Sequence, residues 1–174
     1  MASSQHGSYA YQDTLKGIYF GPGCLESALP QLLRTLGGTK TLIVTGKSLR
    51  EKVRSSHLNE YAATNVNWSH WKTNVVTNVE RILRDNNAFG GAFSDIGQHA
   101  PVQGIINGIK AFHDTGADIF VSVGGGSPID ATKAMIYRIH EAQGKFFGNI
   151  AIPTTLSAAE YTVRIPSYAN SFWA

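Results

Sequence analysis

Apolar residues along this chain of 174 residues keep two different rhythms. Unbroken apolar runs at Thr41-Leu42-Ile43-Val44-Thr45 and Ile119-Phe120-Val121-Ser122-Val123 predict strands buried on both faces. Around them, apolar positions recur every three or four residues. Leu25, Leu29, Leu32, Leu33 and Leu36 mark a helix that Gly37-Gly38 ends. A second helix is expected near 48–56, and a short one at Val76, Val79, Ile82 and Leu83. Val102, Ile105, Ile106, Ile109 and Phe112 mark an amphipathic helix stopped near Gly116. Further strands are expected over Leu15 to Phe20, Phe89 to Phe93 and Asn149 to Ile152. The stretch from His57 to Asn74, with Trp68, His70 and Trp71 in a polar context, shows no clear period. Strands alternating with helices at these lengths predict parallel βαβ units: an α/β fold with a Rossmann-like parallel sheet flanked by helices.

The most informative stretch joins the second apolar run to a helix. Gly124-Gly125-Gly126-Ser127-Pro128 leads into a helical pattern with Ile129, Thr132, Met135, Ile136 and Ile139 on one side. Glycines let a backbone approach an anion closely, and the first free N–H groups of a helix point at it. Ser127 is placed to cap the helix and Pro128 suits its first turn.

Composition narrows the class. Hydrophobic residues are 43% and charged residues 16%, which suits one globular domain rather than a disordered chain. No apolar run is long enough to span a bilayer, and the first sixteen residues lack a secretory pattern, so a cytoplasmic location and no membrane partner are expected. Cys24 is the one cysteine and excludes an internal disulfide. A net charge of +3 with scattered basic residues argues against nucleic acid as a partner and suits an anionic cofactor. The histidines at 6, 57, 70, 99, 113 and 140 include no pair at the spacing of metal ligands on one helix face.

Four segments together resemble the iron-containing alcohol dehydrogenase family, which shares the dehydroquinate synthase-like fold. They are Phe20-Gly21-Pro22-Gly23; Phe93 to Pro101, reading FSDIGQHAP; Gly124 to Lys133, reading GGGSPIDATK; and Ile152 to Thr162, reading IPTTLSAAEYT. The resemblance implies the N-terminal half of that fold, with a leader over 1–14, an NAD(P)-binding-type domain over 15–162 and a divergent tail over 163–174. The helical metal-binding domain of the family has no counterpart here, so no metal is expected in this chain. Association into a homo-oligomer through the uncovered domain junction is expected instead.

By the same resemblance, Gly125, Gly126 and Ser127 would hold the pyrophosphate of NAD or NADP, and Thr154, Thr155 and Leu156 would line the adenine and ribose region. Gly46, Lys47 and Ser48 lie where family members choose between the two cofactors. No acidic residue ends that strand, and Lys47 and Ser48 favour a 2′-phosphate, hence NADP. Asp130 and Lys133 sit one turn apart and either pair with each other or let Lys133 face phosphate or substrate. His99 is a candidate general acid or base, and Tyr161 a candidate phenol donor near Glu160 at the domain junction.

Three functions fit this pattern. The first is an inherited NAD(P)-dependent oxidoreductase acting on a small alcohol or carbonyl substrate. The second is a metal-free lyase, isomerase or cyclase of a biosynthetic pathway, using the former nucleotide cleft with His99, Tyr161 or Lys133 moving protons. The third is a non-catalytic nucleotide-binding module.

Overall fold

The computed structural model describes residues 7–9, 15–50, 70–98 and 100–162. The order of elements is β1 (Gly7–Tyr9), β2 (Ile18–Phe20), α1 (Cys24–Leu36), β3 (Thr41–Gly46), α2 (His70–Asp85), β4 (Phe89–Ile96), α3 (Val102–Thr115), β5 (Ile119–Gly124), α4 (Gly126–Gln143) and β6 (Gly148–Pro153). Residues 47–50 begin a helical turn directly after β3. A short 3-10 turn, Ala159–Tyr161, follows β6.

β3 to β6 form one fully parallel sheet in the order β4-β3-β5-β6. Thr41 to Val44 and Ile119 to Val123 are buried on both faces, as expected of continuous apolar runs at the sheet centre. Alternation along the strands divides the core. Ile43, Ile119, Val121 and Val123 pack with Leu29 and Leu33 of α1 and with Val79, Ile82 and Leu83 of α2. Leu42, Val44 and Phe120 turn to the other face, against Ile105 and Phe112 of α3 and Ala131, Met135 and Ile139 of α4. Glycine ends three helices in the left-handed conformation, at Gly37, Gly116 and Gly144.

Several elements differ from the sequence expectation. The stretch expected as a loose leader contains β1, which pairs antiparallel with β2, Gly7 opposite Phe20. An isolated three-residue strand leaves its backbone groups unpaired, and this partner takes them up. β4 runs through Ile96 rather than ending at Phe93, because it extends along the full length of β3 until Gly46 meets Ile96. α2 begins at His70, inside the stretch that showed no period. Among the described residues no helix is long and apolar enough to cross a membrane.

Candidate functional site

Strand order reverses next to β3: the chain passes from β3 to β4 on one side, then returns to place β5 on the other. In open parallel sheets the crevice at such a switch point, beyond the carboxyl ends of the strands, is where ligands bind. The glycine turn after β5 and the turn after β3 both open there.

The turn after β5 is shaped by contacts that only glycine permits. Gly124 has φ +148°, and a Cβ on it would stand 2.8 Å from the ring of Pro128 and 3.4 Å from Leu49. A Cβ on Gly125 would meet Oγ1 of Thr155 at 3.0 Å. The Gly124 carbonyl accepts the N–H of Thr154 at 2.8 Å, which ties the end of β5 to the end of β6. Gly125, not Ser127, is the N-cap of α4, and no side-chain oxygen caps this end. Ser127 is displaced from the expected capping role because the helix starts two residues earlier than a Ser127 cap implies, at Gly126 rather than Pro128. A helix start left without a side-chain cap, behind a turn stripped of side chains, fits the pyrophosphate of a dinucleotide. Gly125, Gly126 and Ser127 are the residues that would hold it.

Gly46 belongs to the same corner, its Cβ position 4.0 Å from the Pro128 ring. The next residue, Lys47, is an ion-pair partner of Asp95 near the end of β4, with Nζ 2.6 Å from Oδ1. No acidic residue ends β3 itself, but the neighbouring strand brings one to this corner in Asp95. Ser48 is exposed in the same turn, and Nη1 of Arg50 is buried there without a hydrogen-bond partner.

On the other side of the glycine turn an open groove of about 480 Å³ runs along Pro153 to Leu156 and is closed by Ala158, Glu160 and Tyr161. The expected adenine-side residues Thr154, Thr155 and Leu156 are thus brought together with the expected phenol donor Tyr161. Leu156 is fully exposed and Tyr161 largely so. Oε2 of Glu160 is buried without a hydrogen-bond partner. Ala158 holds φ +54°, an uncommon conformation for a residue with a Cβ.

Lys133 is committed to this wall. Its ammonium donates to the carbonyls of Ala159 and Thr162 and to Oγ1 of Thr162, each at 3.0 Å. Asp130 Oδ1 lies 2.7 Å away as a charge contact, while it makes no well-directed hydrogen bond. Three protons meet three oxygens, so Lys133 acts as a fastener rather than facing phosphate or substrate. Asp130 remains at the glycine turn, with Oδ2 3.9 Å from the Cβ position of Gly126. His99 lies outside the described residues. Two features escaped sequence reasoning: the Asp95 partner of Lys47 and the buried oxygen of Glu160. Asp95 stands inside the FSDIGQHAP segment but on a strand whose length its glycines disguise. Among the described residues no three His, Cys, Asp or Glu side chains gather as a metal site.

The family model described as iron-containing alcohol dehydrogenase matches residues 66–165. A maleylacetate reductase of a Rhizobium species is 39% identical over 72 residues, 41% of this chain and 19% of that protein. Maleylacetate reductase 1 of Cupriavidus pinatubonensis is 26% identical over 145 residues, 83% of this chain and 32% of that protein. The crystal structure of a 1,3-propanediol oxidoreductase superposes with a TM-score of 0.56 at 23% identity, over 78% of this chain and 33% of that one. The chain thus spans about a third or less of the length of these relatives.

Proposed function

Because the chain belongs to the iron-containing alcohol dehydrogenase family, we propose that it forms the dinucleotide-binding part of an NAD(P)-dependent oxidoreductase that interconverts an alcohol and its carbonyl compound. The observation that carries this reading is the uncapped start of α4 behind Gly124 and Gly125, at the switch point of the sheet. A bound nicotinamide dinucleotide supplies the hydride for that chemistry. Backbone N–H groups from Gly126 onward hold its phosphates, and the Thr154–Leu156 wall orients its nucleoside end. Lys133 keeps that wall at a fixed distance from α4.

Calorimetric titration of the purified chain with NADH and NADPH tests the reading. Micromolar binding of either dinucleotide, weakened at least tenfold by Gly124→Ala, supports it. Absence of binding by both overturns it and turns the search to non-redox use of the crevice. Similarity to proteins named as maleylacetate reductases makes maleylacetate the first carbonyl to try. Self-association belongs to the same proposal: the fully exposed Leu156 supports it, and light scattering that finds a monomer overturns it.

A further inference from the structure

Glu160 supplies the one carboxylate in the wall of the groove beside the glycine turn, and no lysine, arginine or histidine lines that groove. Its Oε2 is buried and accepts no hydrogen bond. Among the described residues no ion pair includes it. Lys133, the cation that fastens the same turn, gives its protons to Ala159 and Thr162 and its charge contact to Asp130. The groove is therefore a place of negative potential with no counter-charge, and the burial of Oε2 limits how far water and salt screen it. We propose that the nicotinamide end of the dinucleotide occupies this groove and that Glu160 makes it hold the oxidised, cationic ring more tightly than the reduced, neutral one. The inference rests on the dinucleotide reading above and reassigns Thr154, Thr155 and Leu156 from the adenine side to the nicotinamide side.

Placement and charge carry it together. A pyrophosphate at the start of α4 puts the two nucleosides on opposite sides of the glycine turn, one towards β3 and one towards β6. The reacting ring needs an open face for its substrate. The β6 side offers one, because the groove is open and its Leu156 and Tyr161 stand uncovered. Adenine is uncharged and identical in both redox states, so a carboxylate beside it would not distinguish them. The nicotinamide ring is a cation when oxidised and neutral when reduced. Glu160 need not touch the ring, because the attraction falls only with the inverse of distance and is strong where water is thin. A buried carboxylate oxygen without a donor is costly to the chain, and a cation in the groove offsets part of that cost. The bound couple is thereby shifted towards its oxidised form.

Calorimetric titration of the full chain with the oxidised and reduced forms of whichever dinucleotide binds, and with adenosine diphosphate ribose, provides the test. Glu160→Gln keeps the shape and removes the charge. It should weaken the oxidised form by about five- to tenfold and change the reduced form by less than about twofold, the size expected of one partly screened charge. Adenosine diphosphate ribose, which lacks the nicotinamide, should bind parent and variant alike. Glu160→Ala, which leaves no orphan oxygen, should move the oxidised-to-reduced ratio in the same direction, and thermal melts show that each variant is folded. A ratio that neither variant moves overturns this inference while leaving the dinucleotide reading intact. Adenosine diphosphate ribose weakened as much as the oxidised dinucleotide places the adenine end in the groove and overturns it as well. Binding of no dinucleotide by the parent chain overturns both.

Discussion

The ammonium of Lys133 lies 3.0 Å from the carbonyl of Ala159, fastening the wall of the groove to the helix behind the glycine turn. The two residues are 26 positions apart, and the same ammonium reaches Thr162. The side chain is only 20% exposed, so these bonds replace water rather than compete with it. Lys133→Met keeps the stem but removes the three protons and leaves Asp130 beside no cation. It should cost about 1–3 kcal/mol, the range for stranding partly buried polar groups. Hydrogen exchange of Tyr161 and Thr162 should quicken, since their N–H groups bond within the turn that Lys133 pins. Exchange unchanged from the parent would show that the turn holds itself.

Two glycines separate the binding turn from the scaffold. At Gly124 the backbone has φ +148° and a Cβ would collide with Pro128, so Gly124→Ala should destabilise by about 1–3 kcal/mol and also abolish nucleotide binding. At Gly108 in α3 a Cβ would come within 2.2 Å of the Met135 methyl and 3.2 Å of Phe93. Met135 is flexible but fully buried, so Gly108→Ala should cost about 1 kcal/mol through overpacking and leave nucleotide affinity unchanged. Denaturant melts and titrations of both variants check the contrast. Equal losses of affinity would mean that helix spacing, not the turn, controls the site.

Much of this fold was legible because central elements carry their own signal. β3 and β5 read as strands because both of their faces are covered, so every position is apolar or small. α1, α3 and α4 read as helices because each lays one stripe on the sheet. β4 read short because it is the edge strand of the sheet, only partly covered along most of its length, and close packing puts glycine at its start. A Cβ on Gly90 would stand 2.8 Å from the Thr41 carbonyl, so a residue that weakens strand propensity is there for space. The glycine turn was legible as a turn, but its cap was not, since a shift of two residues in helix register decides between Gly125 and Ser127. The pairing of Lys47 with Asp95 could not be read at all. It depends on the β3–β4 register, and neither residue announces a partner on a different strand.

Phe112 and Phe120 join α3 to the sheet. Their rings stack with centroids 3.9 Å apart, and Phe147 meets Phe112 edge-on at 4.9 Å. Both stacked rings are essentially buried. Phe112→Ala should cost about 3–5 kcal/mol, as large aromatic truncations in cores do. Phe112→Leu should recover much of this by refilling the volume. Denaturant midpoints for the two variants measure the difference, and near-equal values would mean that shape, rather than volume, is what the cluster needs.

Asp118 links the starts of β3 and β5 at the opposite end of the sheet from the site. Its carboxylate accepts the N–H of Thr39 at 2.9 Å, the Thr39 hydroxyl at 2.6 Å and the N–H of Lys40 at 2.8 Å. Partial burial works to raise its pKa, but these bonds to the charged form outweigh it and hold the group below its ordinary value of 3.8. A carboxyl depressed in the folded state stabilises the protein above its unfolded pKa. That contribution disappears as pH falls through the folded value, because the unfolded chain takes up the proton first. Stability should therefore decline from about pH 5 downward, and Asp118→Ala should flatten that part of the curve while costing about 1–2 kcal/mol at neutral pH. Melting curves of the two proteins between pH 3 and pH 7 measure this. Parallel curves would show that other carboxylates carry the acid sensitivity and that Asp118 joins the strands without contributing to it.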